Sequence, residues 1–197
     1  MIVSTATIRE LSAGSEPITT AYAKSHMRVD IADDDTLIAN LVTAARQQAE
    51  RYCNRSFVKH TWRADLPGFW DAMTLPYGPV QSITHIKYYD TASPSVLTTL
   101  GTSVYALNFD TVRRNHNASW ESVYPRVDAV QITYASGYSD NSSPIGIGEN
   151  VPEAVKAAIL LIAADLYEVR EAQIVGNTAV IENRAVKALL NPYRVYQ

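Results

Sequence analysis

The stretch DDDTLIANLVTAARQQAERYC, residues 33–53, decides the fold. Its three aspartates are typical of a helix start, because carboxylates cap free N–H groups and offset the helix dipole. At about 100° per residue, the apolar side chains fall on one face of the helix and the polar side chains fall opposite. The apolar face comprises Leu37, Ile38, Leu41, Val42, Ala45, Ala49 and Tyr52, and the polar face comprises Asn40, Thr43, Arg46, Gln47 and Glu50. We expect one buried side and one solvated side.

Three further segments have helical periodicity, at residues 17–29, 152–171 and 182–190. In the segment 17–29, Ala21, Tyr22 and Ser25 lie at helical spacing. In the segment 152–171, which is the third predicted helix of the chain, the apolar residues define two faces. The face centred on Ile162 comprises Val155, Ala158, Ile159, Ile162, Leu166 and Val169, whereas the second face comprises Ala157, Leu160, Leu161 and Ala164. We predict that helices two and three pack together through Leu41, Ala45, Ala49, Ile159, Ile162 and Leu166.

The middle of the chain is rich in Val, Ile, Thr and Tyr, with Pro, Gly, Asn and Ser between the segments, which is typical of antiparallel strands. The predicted strands are residues 59–66, 73–75, 80–89, 96–100, 104–110 and 129–135, and a loop follows at 137–150. The fold class is therefore α+β. Residues 1–56 and 139–197 are expected to form a small helical bundle, and residues 57–138 a β-rich insertion between helices two and three.

Composition excludes several classes of protein. Hydrophobic residues make up 47% and charged residues only 19%, so the chain is globular and has few charges. A net charge of -3 lacks the excess of cations that general DNA binding uses. The longest apolar stretch, residues 157–164, is too short to cross a bilayer, and the N-terminus does not resemble a signal peptide. We expect synthesis in the cytoplasm.

No residue pattern indicates catalysis, a cofactor or a metal. The four histidines are far apart in sequence, and none belongs to a paired metal-binding motif. Gly146 and Gly148 precede a helix but lack the third glycine of a phosphate-binding turn. A hydrolase that uses Cys53, or Asp165 with Glu168 as acid and base, remains a minor alternative, because no oxyanion site or flanking signature accompanies these residues. A carbohydrate- or peptide-binding β module is another alternative.

A series of short motifs, each of which is mostly a cap, a turn or core periodicity, follows a characteristic order along nearly the whole chain. The motifs are DDDTLI at 33–38, AA at 44–45, AERY at 49–52, NRS at 54–56, PVQSI at 79–83, YYD at 88–90, VQITY at 130–134, SGY at 136–138, VPEAVKAAI at 151–159, LYEVRE at 166–171 and LLNPYR at 189–194. In order and spacing, the chain resembles the head-tail connector (adaptor, or head-completion) family of long-tailed bacteriophages and phage-like gene transfer agents.

The resemblance implies a non-enzymatic protein of the virion neck, docked below the portal at a capsid vertex and above the stopper and tail. It further implies a homo-oligomeric ring of about twelve copies, with DNA passing through the lumen without sequence-specific binding and without a membrane. Partners would be the portal protein and a stopper or tail-completion protein. The alternative within the same particle is that the chain is itself the stopper or tail-completion protein.

Two candidate contact surfaces follow from these expectations. The first is the face Ala157, Leu160, Leu161 and Ala164, which we expect to meet a neighbouring subunit or, alternatively, the β-rich part of the same chain. The second is the C-terminal segment, where Tyr193, Arg194 and Tyr196 follow Pro192 without periodicity. Since Tyr and Arg often anchor interfaces, we predict that this segment contacts the portal and becomes ordered only on binding.

Overall fold

The computed structural model describes residues 7–138, 150–169 and 184–196. Its helices are α1 (Thr20–Met27), α2 (Asp35–Cys53), α3 (Glu153–Glu168) and α4 (Arg184–Leu190), followed by a 3-10 turn at Asn191–Tyr193. Its strands are β1 (Thr7–Ala13), β2 (His60–Leu66), β3 (Ala72–Thr74), β4 (Val80–Tyr89), β5 (Leu97–Thr99), β6 (Tyr105–Asn108), β7 (Thr111–Arg114) and β8 (Val130–Ser136). The α+β class is confirmed.

The strands form two antiparallel sheets. The larger has the order β1-β2-β8-β4-β5, and the smaller has the order β3-β7-β6. Every residue of the central strand β8 is buried, whereas the edge strand β1 is exposed at all positions except Ile8. Buried residues of both sheets, including Met73, Ile86 and Val112, belong to one hydrophobic cluster, which holds the two sheets together.

The helices enclose a separate core. α1, α2 and α4 all contact α3 or one another, and α2 and α3 make the most extensive helix–helix contact. Ala45, Ala49, Ile159 and Ile162 are buried in this core, as predicted. Leu41 is half-buried, whereas the prediction for Leu166 is wrong, since its side chain is 38% exposed.

The ends of the apolar faces account for this error. Leu37 is 36% exposed and Val169 is 45% exposed, and both lie at the outer end of the α2–α3 pair with Leu166. A periodic face continues along the helix beyond the point at which its partner helix still covers it. In α1, similarly, the buried residue is Ala23, and the predicted positions Ala21 and Tyr22 are exposed.

Two strands were not predicted. The stretch 104–110, predicted as one strand, is β6 followed by a tight turn, and β7 returns antiparallel with Asn108 opposite Thr111. Only Val112 of β7 is fully buried, so the strand shows no alternating pattern that would reveal it. β1 lies within residues 1–56, so this segment contributes a strand to the sheet as well as two helices.

The predicted loop at Gly146 and Gly148 lies outside the described residues, as do the end of the third predicted helix at Glu171 and the start of the fourth at Glu182. No helix within the described ranges is long and apolar enough to cross a membrane.

Candidate assembly surfaces and the polar junction

A cluster of charged side chains joins the helices to the larger sheet. Arg46 of α2 is only 3% exposed, and its Nε lies 2.8 Å from Oε2 of Glu16, in the segment between β1 and α1. Its guanidinium also contacts the carboxylate of Glu50 at 2.5 Å, one helical turn further along α2. The sequence pattern placed Arg46 and Glu50 on the solvated face of the helix, and this prediction is wrong because Glu16 pairs with Arg46 and His60 of β2 pairs with Glu50.

His60 of β2 completes the cluster. Its Nδ1 lies 3.0 Å from Glu10 of β1, and its Nε2 lies 3.1 Å from Glu50. Burial lowers the pKa of His60, but its hydrogen bonds and the charges of Glu50 and Glu10 outweigh burial and raise the pKa. A protonated imidazole donates from both nitrogens and so satisfies both carboxylates at once.

Glu50 binds the segment that connects α2 to β2. One oxygen of its carboxylate accepts hydrogen bonds from the backbone N–H of Phe57 at 2.7 Å and of Val58 at 3.3 Å. Burial raises the pKa of Glu50, but the hydrogen bond from His60 and the charge of Arg46 lower it overall. The charged form of Glu50 therefore positions the residues that lead into β2. Sequence reasoning missed this cluster, because its members come from four separate segments.

The acidic start of α2 has a different role from the predicted one. Asp34 is the N-cap residue, but its side chain makes no capping hydrogen bond. It accepts instead from the hydroxyl of Tyr167 at 2.6 Å, and Asp35 binds the ammonium of Lys24 at 2.5 Å. These aspartates connect α2 to α3 and α1 in addition to starting the helix.

The second face of α3 is only partly accessible. Ala157 is exposed, and Leu161 and Ala164 are half-buried, so these three residues form a continuous apolar strip on the outside of the helix. The prediction that Leu160 belongs to this accessible face is corrected, because Leu160 is 4% exposed and belongs to the helical core of its own chain. We call Ala157, Leu161 and Ala164 the α3 strip.

The C-terminal segment is folded against the end of α2, which corrects the expectation of a tail that is ordered only on binding. The N–H of Val195 donates to the carbonyl of Cys53 at 2.8 Å, and Asn54 donates to the carbonyl of Val195 at 3.1 Å. The ring of Tyr193 packs edge-on against Phe57 at 6.5 Å. Sequence periodicity carries no signal for such a segment, since it neither continues a helix nor pairs as a strand.

Two predicted contact residues of this segment remain accessible. The guanidinium of Arg194 lies 4.9 Å from the ring centre of Tyr52 and 4.8 Å from that of Tyr196. Tyr196 is 74% exposed. Tyr193 thus anchors the segment, while Arg194 and Tyr196 form a preordered surface beside α2.

The minor catalytic alternatives are not supported by the geometry. Cys53 is fully buried, its Sγ lies 3.6 Å from the carbonyl oxygen of Leu190, and burial raises the pKa of its thiol to about 11. Such a thiol is a poor nucleophile at neutral pH. Asp165 and Glu168 are exposed at the outer end of α3. Within the described ranges, no group of three His, Cys, Asp or Glu side chains is placed to hold a metal ion.

The described residues therefore offer two accessible candidate contact surfaces on a mixed α+β chain. Residues 18–104 match the family of phage gp6-like head-tail connector proteins, and this match confirms the resemblance seen in the sequence. The matched range runs from just before α1 to just before β6, so it includes part of both the helices and the larger sheet.

Solved structures share the fold over almost the whole chain. A chain in the neck of an empty gene transfer agent (GTA) particle, computed with C6 symmetry, has a TM-score of 0.75 and 22% identity, covering 97% of this chain and 96% of that one. A chain in the virion of a native GTA particle has a TM-score of 0.75 and 21% identity, with the same coverage of both chains. A chain in the neck of a native GTA particle, computed with C12 symmetry, has a TM-score of 0.70 and 21% identity. No curated protein sequence matches.

Proposed function

We propose that this chain is a structural neck protein of a phage or phage-like particle, and that it forms a ring connecting the capsid portal to the stopper and tail. The observation that carries the proposal is the connector-family match over residues 18–104. The shared fold with chains from GTA necks, over 97% of this chain, supports the same location in the particle. The C6 and C12 symmetries of those necks support a ring of about twelve copies.

The α3 strip is the proposed subunit contact. A closed ring requires heterologous contacts, in which one patch of a subunit meets a different patch of the next. Small and apolar side chains such as Ala157 and Ala164 permit close approach, and Leu161 offers apolar area at the centre of the strip. The charged residues Glu153 and Glu168, which are exposed at its two ends, give the strip a polar border.

The C-terminal surface is the proposed portal contact. Its backbone is already held by Cys53 and Asn54, so docking costs little ordering entropy. Arg194 and Tyr196 supply the large amphipathic side chains that most often dominate binding energy. Tyr193 contributes indirectly, by fixing the segment on Phe57.

The charge of the chain fits a conduit for DNA. With a net charge of -3, a ring of such subunits has no general attraction for phosphate, so a duplex can slide through its lumen. The partner on the far side of the ring is the stopper or tail-completion protein.

Electron microscopy of intact particles tests the location. The chain should form the ring directly below the portal, and density in the next ring towards the tail would instead make it the stopper. The subunit contact is tested separately with Leu161→Glu, which should fold normally and fail to assemble on portal-bearing heads. Gln48→Glu, which adds the same charge at an exposed site on α2, is the matched control and should assemble.

A further inference from the structure

The turn between β6 and β7 has an unusual residue at its tip. Because Asn108 pairs with Thr111, the hairpin loop consists of only Phe109 and Asp110. Phe109 has φ +51°, in the left-handed region where hairpin loops normally have Gly, Asn or Asp. Its side chain is 90% exposed, the highest value among the large apolar residues exposed on the described surface. This position therefore carries both a backbone cost and a solvation cost.

The turn is held rigidly in spite of these costs. The carbonyl of Asp110 accepts a hydrogen bond from the N–H of Leu75 at 2.7 Å, and its carboxylate accepts one from the N–H of Val80 at 2.7 Å. The chain at Gly78 approaches so closely that a Cβ there would collide with the Asp110 carboxylate. The backbone that carries Phe109 is thus tied to the segment between β3 and β4, so a contact made by Phe109 costs little ordering of the main chain.

The position of the turn on the molecule indicates which partner it meets. Ala13, His60, Ser136 and Val80 lie opposite one another in a single row across the larger sheet. The Phe109 turn is attached at the Val80 end of this row. At the other end, Gly14 lines a cleft together with Lys156 of α3. Three strand spacings separate the two ends, which is about 14 Å.

The Phe109 turn is therefore attached at one end of this row, and Lys156, the residue before the α3 strip, lies beside the other end. A protruding apolar side chain and a separate apolar strip on the same subunit provide the two different patches that a heterologous contact needs. We infer that Phe109 of one copy packs on the α3 strip of the next copy, against Leu161, and so links neighbouring subunits of the ring. This inference rests on the proposed function and names the second half of its subunit contact.

The first test separates assembly from folding. Phe109→Gly removes the side chain and suits the positive φ, so the melting temperature should be unchanged or higher than that of the wild type. Assembly of the full chain on purified portal-bearing heads should nevertheless fall by about tenfold or more, as expected for loss of an anchor residue. Phe109→Leu, which keeps an apolar side chain, should retain most of the assembly.

The second test is cross-linking with a short bismaleimide on assembled heads. A chain with both Asn108→Cys and Ala157→Cys keeps Phe109 and Leu161 and places an exposed thiol beside each of them. It should give a ladder of covalent multimers, because each copy is linked to the next. Either single variant should give no ladder, and the wild type is a suitable background because Cys53 is fully buried. Absence of the ladder from the double variant on assembled heads overturns the inference.

The outcomes distinguish the two proposals. If the wild type forms no ring on portal-bearing heads, the proposed function fails. If the wild type and Phe109→Gly assemble equally well, only the inference fails. If Phe109→Gly forms rings normally but no longer joins tails, Phe109 contacts another protein of the particle and the inference is again overturned.

Discussion

His60 and Glu50 lie 3.1 Å apart, Nε2 to Oε1, across the boundary between the sheet and α2. The two residues come from different layers of the protein, and each has its pKa shifted towards the charged form by the other. The ion pair therefore ties the stability of the junction to pH.

Stability should fall as pH rises above neutrality. The pKa of His60 is raised above 6.5 in the folded chain, so the stabilisation it provides is complete below pH 6.5 and is lost as pH rises through the folded pKa. The charged groups that face the imidazole of His60 are the carboxylates of Glu10 and Glu50. Denaturant midpoints at pH 6 and pH 9 measure the change. His60→Gln should show a smaller loss over this interval, and an identical loss in both proteins would contradict the assignment.

At acidic pH the contribution of Glu50 should disappear. Its pKa is lowered below 4.5, so its stabilisation is present above pH 4.5 and is lost as pH falls through the folded pKa. Glu50→Gln should therefore be less stable than the wild type at pH 6. The difference between the two should narrow towards pH 3, as followed by circular dichroism. A constant difference across this range would show that the charge of Glu50 is unimportant.

Arg46→Leu should destabilise the chain by about 3 kcal/mol, because it leaves Glu16 and Glu50 without their buried cation. Arg51→Leu is the matched control, since Arg51 is exposed on the same helix. It should change the free energy of unfolding by less than about 0.5 kcal/mol. Chemical denaturation of both variants measures the difference, and similar values would mean that the cluster is energetically neutral.

Gly137→Ala should destabilise the chain by more than about 1 kcal/mol. Gly137 has φ +101°, and a Cβ there would collide with the carbonyl oxygen of Val58. Gly68→Ala provides the control, because a Cβ at Gly68 meets nothing within 4 Å. Thermal unfolding should separate the two variants clearly, whereas equal melting temperatures would rule out the close approach at Gly137.

Two changes at the C-terminal segment should have different effects. Deleting residues 192–197 removes the Tyr193–Phe57 contact and the Val195–Cys53 hydrogen bond, so it should lower the melting temperature. Arg194→Ala with Tyr196→Ala keeps both interactions and should leave the melting temperature within a few degrees. This double variant should still lose attachment to portal-bearing heads. Normal attachment would place the portal contact elsewhere on the chain.

Local patterns in the sequence predict most of the elements, including β4 at residues 80–89 with its observed bounds. Local patterns predict the burial of a side chain less well where a segment distant in sequence determines it. Arg46 is on the polar side of α2 by periodicity, yet it is buried and its guanidinium pairs with Glu16 from the segment before α1. Leu166 has the reverse error, since it lies on the apolar face of α3 but at the exposed end of the α2–α3 pair.

The candidate surfaces show the same limit. Residue type alone predicts Tyr193, Arg194 and Tyr196 as contact residues. Their place beside α2 depends on the Val195–Cys53 hydrogen bond and on ring contacts with residues distant in sequence, for which the local sequence shows no pattern. Phe109 was placed inside a predicted strand, because a Phe flanked by Asn and Asp reads equally well as strand or turn. Only the pairing of Asn108 with Thr111 places it at a tip.

The sheet is joined to the helices at several points, and this has a mechanical consequence. One covalent link runs from β1 to α1 and another from α2 to β2, and the Glu16–Arg46–Glu50–His60 cluster bridges both. A body fixed at a single point pivots, whereas one fixed at several points resists torsion. A push or twist applied to the sheet would therefore be passed on to the helices.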